Sequence, residues 1–220
     1  EVENGEIVYI QNDELISLKP FPKQRKRPCV FEYIYFSRPD SLLDGITAYE
    51  YRKKLGSELS EEDNIKADLV VPVPDSGNAA AIGYSQSKNL KFELGLIRNH
   101  YVGRTFIEPA QKIRSLGVKL KLNANKSSIK DKVVVLVDDS LVRGTTSHKI
   151  VNMLYDAGAK EVHLRIACPE IKYPDFYGID MPSKKELLAA NMSVEEICSY
   201  VRAKSLKFLS LDGLYKAMGF

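Results

Sequence analysis

Residues 133–146 read VVVLVDDSLVRGTT. The first five are apolar and four of them are valine, which is typical of a strand buried on both faces of a parallel sheet. Two carboxylates, Asp138 and Asp139, follow at the carboxyl end of this strand, and a short polar loop comes next. Apolar residues then recur at helical spacing from Ile150 to Ala157, and Gly158 predicts where that helix ends. The stretch therefore predicts a strand, a loop and a helix.

This loop has the composition of an anion site. Backbone N–H groups and the helix dipole favour a phosphate at a helix amino-terminus, and the hydroxyls of Thr145 and Thr146 add donors. Asp138 and Asp139 would repel the same anion, so they suit a divalent cation or a sugar diol beside it. Together the two features fit a phosphorylated ribose. An ordinary Asp-Asp turn with a capped helix remains the alternative.

The same order of elements recurs along the chain. An apolar run at 69–74 is followed by Asp75-Ser76-Gly77 and an Ala-rich helix at 78–88, a strand at 92–97 ends at Arg98, and another strand spans 162–167. Alternating strands and helices predict an α/β fold with a doubly wound, mostly parallel sheet whose ligands lie at the carboxyl edges of the strands. Ser76 would lend a hydroxyl and Gly77 an N–H to a second anion or a metal, unless Asp75 or Ser76 only caps the helix.

Other elements are predicted more simply. Residues 1–20 read as a strand or hairpin, residues 31–36 as a strand, and residues 46–55 as a helix that Gly56 ends. Helices are predicted at 183–190, 193–202 (with Ser193 and Glu196 as a capping box) and 211–218, and a strand at 206–209. The stretch 99–130 is irregular and basic, with Gly103 as a hinge, and we interpret it as a flexible lid over an anionic ligand. A solvated basic loop is the alternative.

Composition narrows the class of protein. The chain has 220 residues, a net charge of +3, and three widely spaced cysteines. The charge is too small to predict nucleic-acid binding, no run is long enough for a membrane span, and the cysteines form neither a disulfide framework nor a metal-ligand pair. These features predict a cytoplasmic protein that binds neither nucleic acid nor membrane. The basic run at 23–27 is interpreted as a solvated linker rather than a phosphate-binding patch.

Residues 133–146 resemble the phosphoribosyl pyrophosphate (PRPP) signature of the type I phosphoribosyltransferases. Four segments resemble a narrower family, glutamine PRPP amidotransferase. They occur in the same order as in that family, and the resemblance covers nearly the whole chain. They are 71–77 (VPVPDSG), 99–107 (NHYVGRTFI), 137–146 (VDDSLVRGTT) and 176–180 (FYGID). The resemblance implies the type I phosphoribosyltransferase fold. It also implies an enzyme, a pentosyltransferase that makes 5-phosphoribosylamine and pyrophosphate from PRPP and glutamine at the first committed step of purine synthesis.

The resemblance also implies roles for individual residues. Asp138 and Asp139 would hold the ribose hydroxyls and Mg²⁺, with Ser76 as a further metal ligand. Tyr101 and Arg104 would act in catalysis from a lid at 101–114. The remaining substrate-binding residues would meet the pyrophosphate or cradle the 5-phosphate: Asp75, Ser76, Gly77, Arg98, Ser140, Arg143, Gly144, Thr145 and Thr146.

The family implies partners beyond this chain. Residues 1–22 resemble the end of a glutaminase domain and residues 23–220 the transferase domain, so this chain alone is expected to use ammonia. Purine nucleotides are expected as feedback inhibitors, and a homo-oligomer is expected for the intact enzyme. Some members carry a four-cysteine iron–sulfur cluster. Cys29 matches one ligand position of that cluster, but Asp175 replaces another, so no cluster is expected here. A purine salvage phosphoribosyltransferase and a PRPP-binding regulatory module remain the alternatives.

Overall fold

The computed structural model describes residues 2–22, 28–101, 122–175 and 183–219. Its centre is a sheet of five strands: β5 (Leu69–Pro72), β6 (Lys91–Phe92), β9 (Val133–Asp138), β10 (Glu161–Ile166) and β11 (Ser205–Phe208). Their order in the sheet is β11-β10-β9-β5-β6, and every neighbouring pair is parallel. The prediction of a doubly wound, mostly parallel sheet is confirmed.

The path of the chain between the strands and helices explains why the sheet is doubly wound. The helices are α1 (Ala48–Glu61), α2 (Asn78–Lys88), α3 (Lys126–Ile129), α4 (Thr145–Asp156), α5 (Leu188–Asn191), α6 (Val194–Val201) and α7 (Leu211–Met218). From β5 the chain proceeds outward to β6, whereas from β9 it proceeds the other way to β10 and β11. Because crossovers between parallel strands are right-handed, α2 and α4 lie on opposite faces of the sheet.

Smaller elements surround this sheet. A hairpin of β1 (Ile7–Gln11) and β2 (Glu14–Leu18) confirms the predicted amino-terminal hairpin, and β3 (Leu42–Leu43) pairs with β4 (Ile46–Thr47). The ribbon of β7 (Leu96–Arg98) and β8 (Leu122–Ala124) is antiparallel and separate from the main sheet. The prediction of one strand over 92–97 was therefore wrong, since the chain breaks it at Gly95 into two short strands.

Other predictions of secondary structure were also wrong. The single helix predicted at 183–190 is a 3₁₀ turn (Lys184–Glu186) followed by the short helix α5. Residues Glu32–Phe36 form a short π-helical turn instead of a strand, because Tyr33 and Ile34 pack into the core and Arg52 of α1 binds the backbone of the turn. Helix α1 also continues past Gly56 to Glu61. A Cβ at Gly56 would lie 1.8 Å from the Ala80 carbonyl oxygen of α2, so this glycine permits close helix packing and does not end the helix.

The core on the α1 and α2 side of the sheet contains a buried ion pair. The Arg165 guanidinium on β10 is bonded to the Asp63 carboxylate, which also accepts a hydrogen bond of 2.6 Å from the Tyr84 hydroxyl. The Arg165 and Asp63 side chains are only 4% and 7% exposed. Arg165 lowers the pKa of Asp63 against the opposing effect of burial. The ion pair therefore connects the loop after α1 to β10, the strand that pairs with β9.

Beside it on β10, His163 is a buried strand residue. Its Nδ1 lies 2.8 Å from the Ser205 hydroxyl and its Nε2 lies 3.1 Å from the Glu161 carboxylate. Burial lowers the pKa of this imidazole. Within the described ranges, no helix has the length and apolar character needed to cross a bilayer.

Candidate active site

The predicted site residues that follow β5 and β9 lie at the carboxyl edge of the sheet, between two neighbouring strands from which the chain continues in opposite directions. β5 and β9 are neighbours, and each is followed by a loop at its carboxyl end: residues 73–77 after β5 and residues 139–144 after β9. The Val73 N–H donates to the Val137 carbonyl at 2.8 Å, so backbone pairing continues to the base of both loops. Such a switch point is the usual ligand crevice of doubly wound sheets. The predicted meeting of the two loops is confirmed.

Asp138 and Asp139 are the least solvated acidic groups of this crevice, with 8% and 6% of their surface exposed. Burial raises the pKa of Asp138, and the neighbouring charge of Asp139 raises it further. Burial also raises the pKa of Asp139, although hydrogen bonds from the Ser140 and Ser76 hydroxyls oppose that shift. Two desolvated carboxylates side by side are unfavourable in isolation and become favourable when a cation is bound.

The residues present fit a magnesium ion. Carboxylate and hydroxyl oxygens are the donors that Mg²⁺ prefers, and the ion usually completes its shell with water and substrate oxygens. Asp138, Asp139 and Ser76 supply such a set, with Ser76 bonded to Asp139. Within residues 2–22, 28–101, 122–175 and 183–219, no group of three or more His, Cys, Asp or Glu side chains is arranged around a metal position. A metal here would therefore depend on ligand oxygens from the substrate.

The loop after β9 has the geometry of a phosphate cradle. Gly144 adopts a left-handed conformation (φ +68°) directly before α4, and its carbonyl accepts the first helical bond from the His148 N–H at 2.9 Å. The first N–H groups of α4, from Thr145 onward, are those that a helix leaves without intrahelical partners. Thr145 is exposed and Thr146 is partly exposed, so both hydroxyls are accessible.

Three more predicted binding residues, besides Ser76 and Ser140, have partners within the protein. The N–H of Gly77 donates to the Val73 carbonyl at 2.9 Å, so it already has a partner within the protein. Gly77 is also required sterically, since a Cβ would lie 2.6 Å from the Val137 carbonyl oxygen. Arg98, at the end of β7, forms an ion pair with Asp75 and so reaches the loop after β5 from outside the sheet. The third, Arg143, is held by Glu186 at 2.8 Å.

The structure adds Arg52 to the residues around the carboxylates. Its buried guanidinium donates to the Tyr33 carbonyl at 3.0 Å and to the Ser37 carbonyl at 2.7 Å. It lies with Ser76 and Asp139 around a gap too narrow to hold a water molecule. Burial lowers the pKa of Arg52, and the charge of Asp139 opposes this. Nothing in the sequence distinguishes Arg52 from an ordinary helix surface residue, because its partners are backbone carbonyls of a turn that was predicted to be a strand.

A second addition is Asn78, the first residue of α2. Its Oδ1 is buried and has no hydrogen-bond partner among the residues that the structure describes. From the lid, the structure describes Tyr101, whose side chain is fully exposed and touches none of the site residues above. Arg104 and the rest of the lid at 101–114 lie outside the described residues, as does the FYGID segment. Residues 122–130 were predicted to belong to the same irregular stretch, but they form β8 and α3 instead.

The comparisons with known proteins agree with this geometry. The phosphoribosyl transferase domain family matches residues 40–176, which include both loops of the crevice. The amidophosphoribosyltransferase of Rhizobium etli is 56% identical over 225 residues, covering 100% of this chain and 45% of that protein. That of Methanocaldococcus jannaschii is 50% identical over 234 residues, covering 100% of this chain and 50% of its own.

A solved structure is similar over the same length. Glutamine phosphoribosylpyrophosphate (PRPP) amidotransferase from B. subtilis, complexed with ADP and GMP, has a TM-score of 0.87 and 50% sequence identity. The match covers 99% of this chain and 48% of that one, so the chain spans about half the length of the relatives it matches. The fold is that of the type I phosphoribosyltransferases. With the paired carboxylates and the phosphate loop at the switch point, the match over residues 40–176 shows that the chain belongs to the phosphoribosyl transferase domain family.

Proposed function

We propose that this chain is the transferase part of an amidophosphoribosyltransferase, which forms 5-phosphoribosylamine and pyrophosphate from PRPP. The observation that carries the proposal is the pairing of a buried Asp138-Asp139 dyad with a phosphate loop at one sheet edge. PRPP carries a phosphate, a ribose diol and a pyrophosphate, so it needs both features. The relatives at 50–56% identity that bear the name amidophosphoribosyltransferase support ammonia as the acceptor of the phosphoribosyl group.

The protein groups have simple tasks in this reaction. Asp138 and Asp139 bind the ribose hydroxyls and Mg²⁺, while the N–H groups at the start of α4 bind the 5-phosphate. When bound, Mg²⁺ neutralises the pyrophosphate and makes it a better leaving group. The transition state at the anomeric carbon is oxocarbenium-like, and the nearby carboxylates stabilise its positive charge. Ammonia is already a nucleophile, so the lid, with Tyr101 and Arg104, acts mainly by excluding water.

Several parts of the proposal concern the intact protein. We propose that ammonia comes from a glutaminase domain that precedes residue 23, and that residues 1–22 belong to that domain. The hairpin β1–β2 supports this, because Ile10 and Leu15 are 74% and 68% exposed in this chain. The ADP and GMP bound by the B. subtilis relative support purine nucleotides as inhibitors. We also propose a homo-oligomer, a cytoplasmic location and no iron–sulfur cluster, since Asp175 replaces one of the cluster ligands.

The test is pyrophosphate release from PRPP with Mg²⁺ and either ammonium or glutamine as donor. We expect ammonium-dependent release that is abolished by the double substitution Asp138→Asn, Asp139→Asn. Asp156→Asn, the same chemical change at an exposed position on the far end of α4, is the matched control and should keep full activity. Release that depends on a purine base instead of ammonium would identify a salvage enzyme. Tight PRPP binding without turnover by the intact protein would identify a regulatory module.

A further inference from the structure

The outer side of the phosphate loop is covered by the segment from Lys184 to Val201. The Leu188 N–H donates to the Val142 carbonyl at 3.0 Å. The Leu188 side chain packs on Gly144 so closely that a Cβ there would lie 2.4 Å from Leu188 Cδ1 and 3.2 Å from Tyr200 Cε1. A loop in an unusual left-handed conformation is thus supported from behind by a separate part of the chain.

The start of α4 is attached to the same segment. His148 Nδ1 lies 2.7 Å from the Tyr200 carbonyl oxygen, and its Nε2 lies 2.9 Å from Asn152 Nδ2. A carbonyl only accepts, so Nδ1 carries the proton and Nε2 accepts from the Asn152 amide. These contacts make His148 a link between α4 and α6.

Arg143 completes this set of contacts. Its Nε donates to Glu186 Oε2 at 2.8 Å, and the two side chains are 52% and 51% exposed. Arg143 immediately precedes Gly144, so an interaction that fixes its side chain also restricts the backbone that presents N–H groups to the phosphate. Backbone donors bind strongly only when they are held in place before the ligand arrives.

We propose that Glu186 is a positioning residue for the phosphate site, which acts by anchoring Arg143 and the loop backbone. The proposal rests on the proposed function, because it assigns the ligand of this loop as the 5-phosphate of PRPP. It also assigns Arg143 a different role from the one its sequence position implied: Arg143 holds the loop and leaves phosphate binding to the backbone N–H groups and hydroxyls.

The alternative arrangement predicts effects of opposite sign. If Arg143 bound the phosphate directly, Glu186 would compete for it, and removing Glu186 would strengthen phosphate binding. If Glu186 anchors the loop, its removal weakens phosphate binding. A half-exposed ion pair contributes modestly, so we expect an effect of about threefold to fivefold on the dissociation constant.

The experiment is calorimetric titration of the intact protein with ribose 5-phosphate and, separately, with Mg²⁺-pyrophosphate. We expect Glu186→Gln and Arg143→Gln each to weaken ribose 5-phosphate binding by about threefold to fivefold, without further loss in the double variant. The charge-reversed pair Arg143→Glu, Glu186→Arg should restore binding to within about twofold. Pyrophosphate binding should stay unchanged throughout, which a general loss of folding would not allow. Glu195→Gln, on the exposed face of α6, is the control.

Each other outcome has a defined meaning. Tighter ribose 5-phosphate binding by Glu186→Gln, or a charge-reversed pair weaker than either single variant, would overturn the anchoring role. Unchanged binding in all variants would overturn it as well. If the wild-type protein bound PRPP but the variants showed no difference, only this proposal would fail. If the wild-type protein bound neither PRPP nor ribose 5-phosphate, the proposed function itself would fail.

Discussion

Replacing Gly144 with alanine tests how the phosphate loop is built. The change has two costs in the folded protein. A residue with a Cβ at φ +68° costs about 1–2 kcal/mol relative to glycine. The new Cβ would also lie 2.4 Å from Leu188 Cδ1, and moving that side chain off its rotamer costs about 0.5–1.5 kcal/mol. We therefore expect Gly144→Ala to destabilise the protein by about 1.5–3.5 kcal/mol.

Gly45 provides a matched control for this variant. It also has a positive φ, +85°, but a Cβ there would meet nothing within 4 Å. Gly45→Ala thus carries only the backbone cost. For a chain of this size, 1 kcal/mol shifts the melting temperature by about 2–4 °C, so Gly144→Ala should melt about 2–4 °C below Gly45→Ala. The assay is differential scanning calorimetry, combined with measurement of KM for PRPP, which we expect to rise about tenfold in Gly144→Ala alone.

Two results would refute this reasoning. Equal melting temperatures for the two alanine variants would show that Leu188 does not restrict Gly144. The second is the behaviour of Leu188→Ala in the Gly144→Ala background. Removing the side chain that clashes should recover part of the lost stability and PRPP affinity. Strictly additive losses in the double variant would exclude the contact between them.

Three further predictions follow from the buried charges. Asp138→Asn should reduce PRPP turnover at least about 100-fold. It should also stabilise the metal-free protein by about 0.5–2 kcal/mol in urea denaturation at pH 7, because the raised pKa of Asp138 means that its charged form destabilises the fold. This stability difference between the variant and the wild type should shrink as pH falls toward 3.8. Arg165→Met should cost about 3–5 kcal/mol in the same assay by leaving Asp63 unpaired, and adding Asp63→Leu should recover part of that loss. His163, whose pKa is lowered by burial, should cause a loss of stability as pH falls below 6.5, and His163→Gln should reduce the slope of the urea midpoint between pH 7 and pH 5.

The central part of the fold could be predicted from the sequence because local and tertiary preferences agree there. The valine-rich β9 is buried on both faces, as its composition indicated, and α4 ends before Gly158, which has the positive φ of a helix terminus. The capping box of Ser193 and Glu196 is present at the start of α6. At each of these positions the residue type has one dominant structural use.

The sequence was misleading where the same type of residue occurs in two different structural contexts. Glycine often ends a helix, but Gly56 lies within α1 and lets this helix pack closely against α2. The run from Phe31 to Phe36 has the β-branched and aromatic composition of a strand, and packing against α1 makes it helical instead. The roles of Glu186 and Arg52 in the site could not be predicted, because they depend on segments that are distant in sequence.

The buried ion pair between Asp63 and Arg165 has a consequence for how this chain is made. The two residues are 102 positions apart. At roughly 5–20 residues per second, a ribosome needs roughly 5–20 seconds to add β10 after Asp63 has been synthesised. During that interval Asp63 has Tyr84 as a neighbour but lacks its cation, so the α1–α2 side of the core cannot close around the carboxylate. Chains that terminate before β10 would keep this carboxylate hydrated and their apolar surface exposed, which makes them natural substrates for chaperones and proteases.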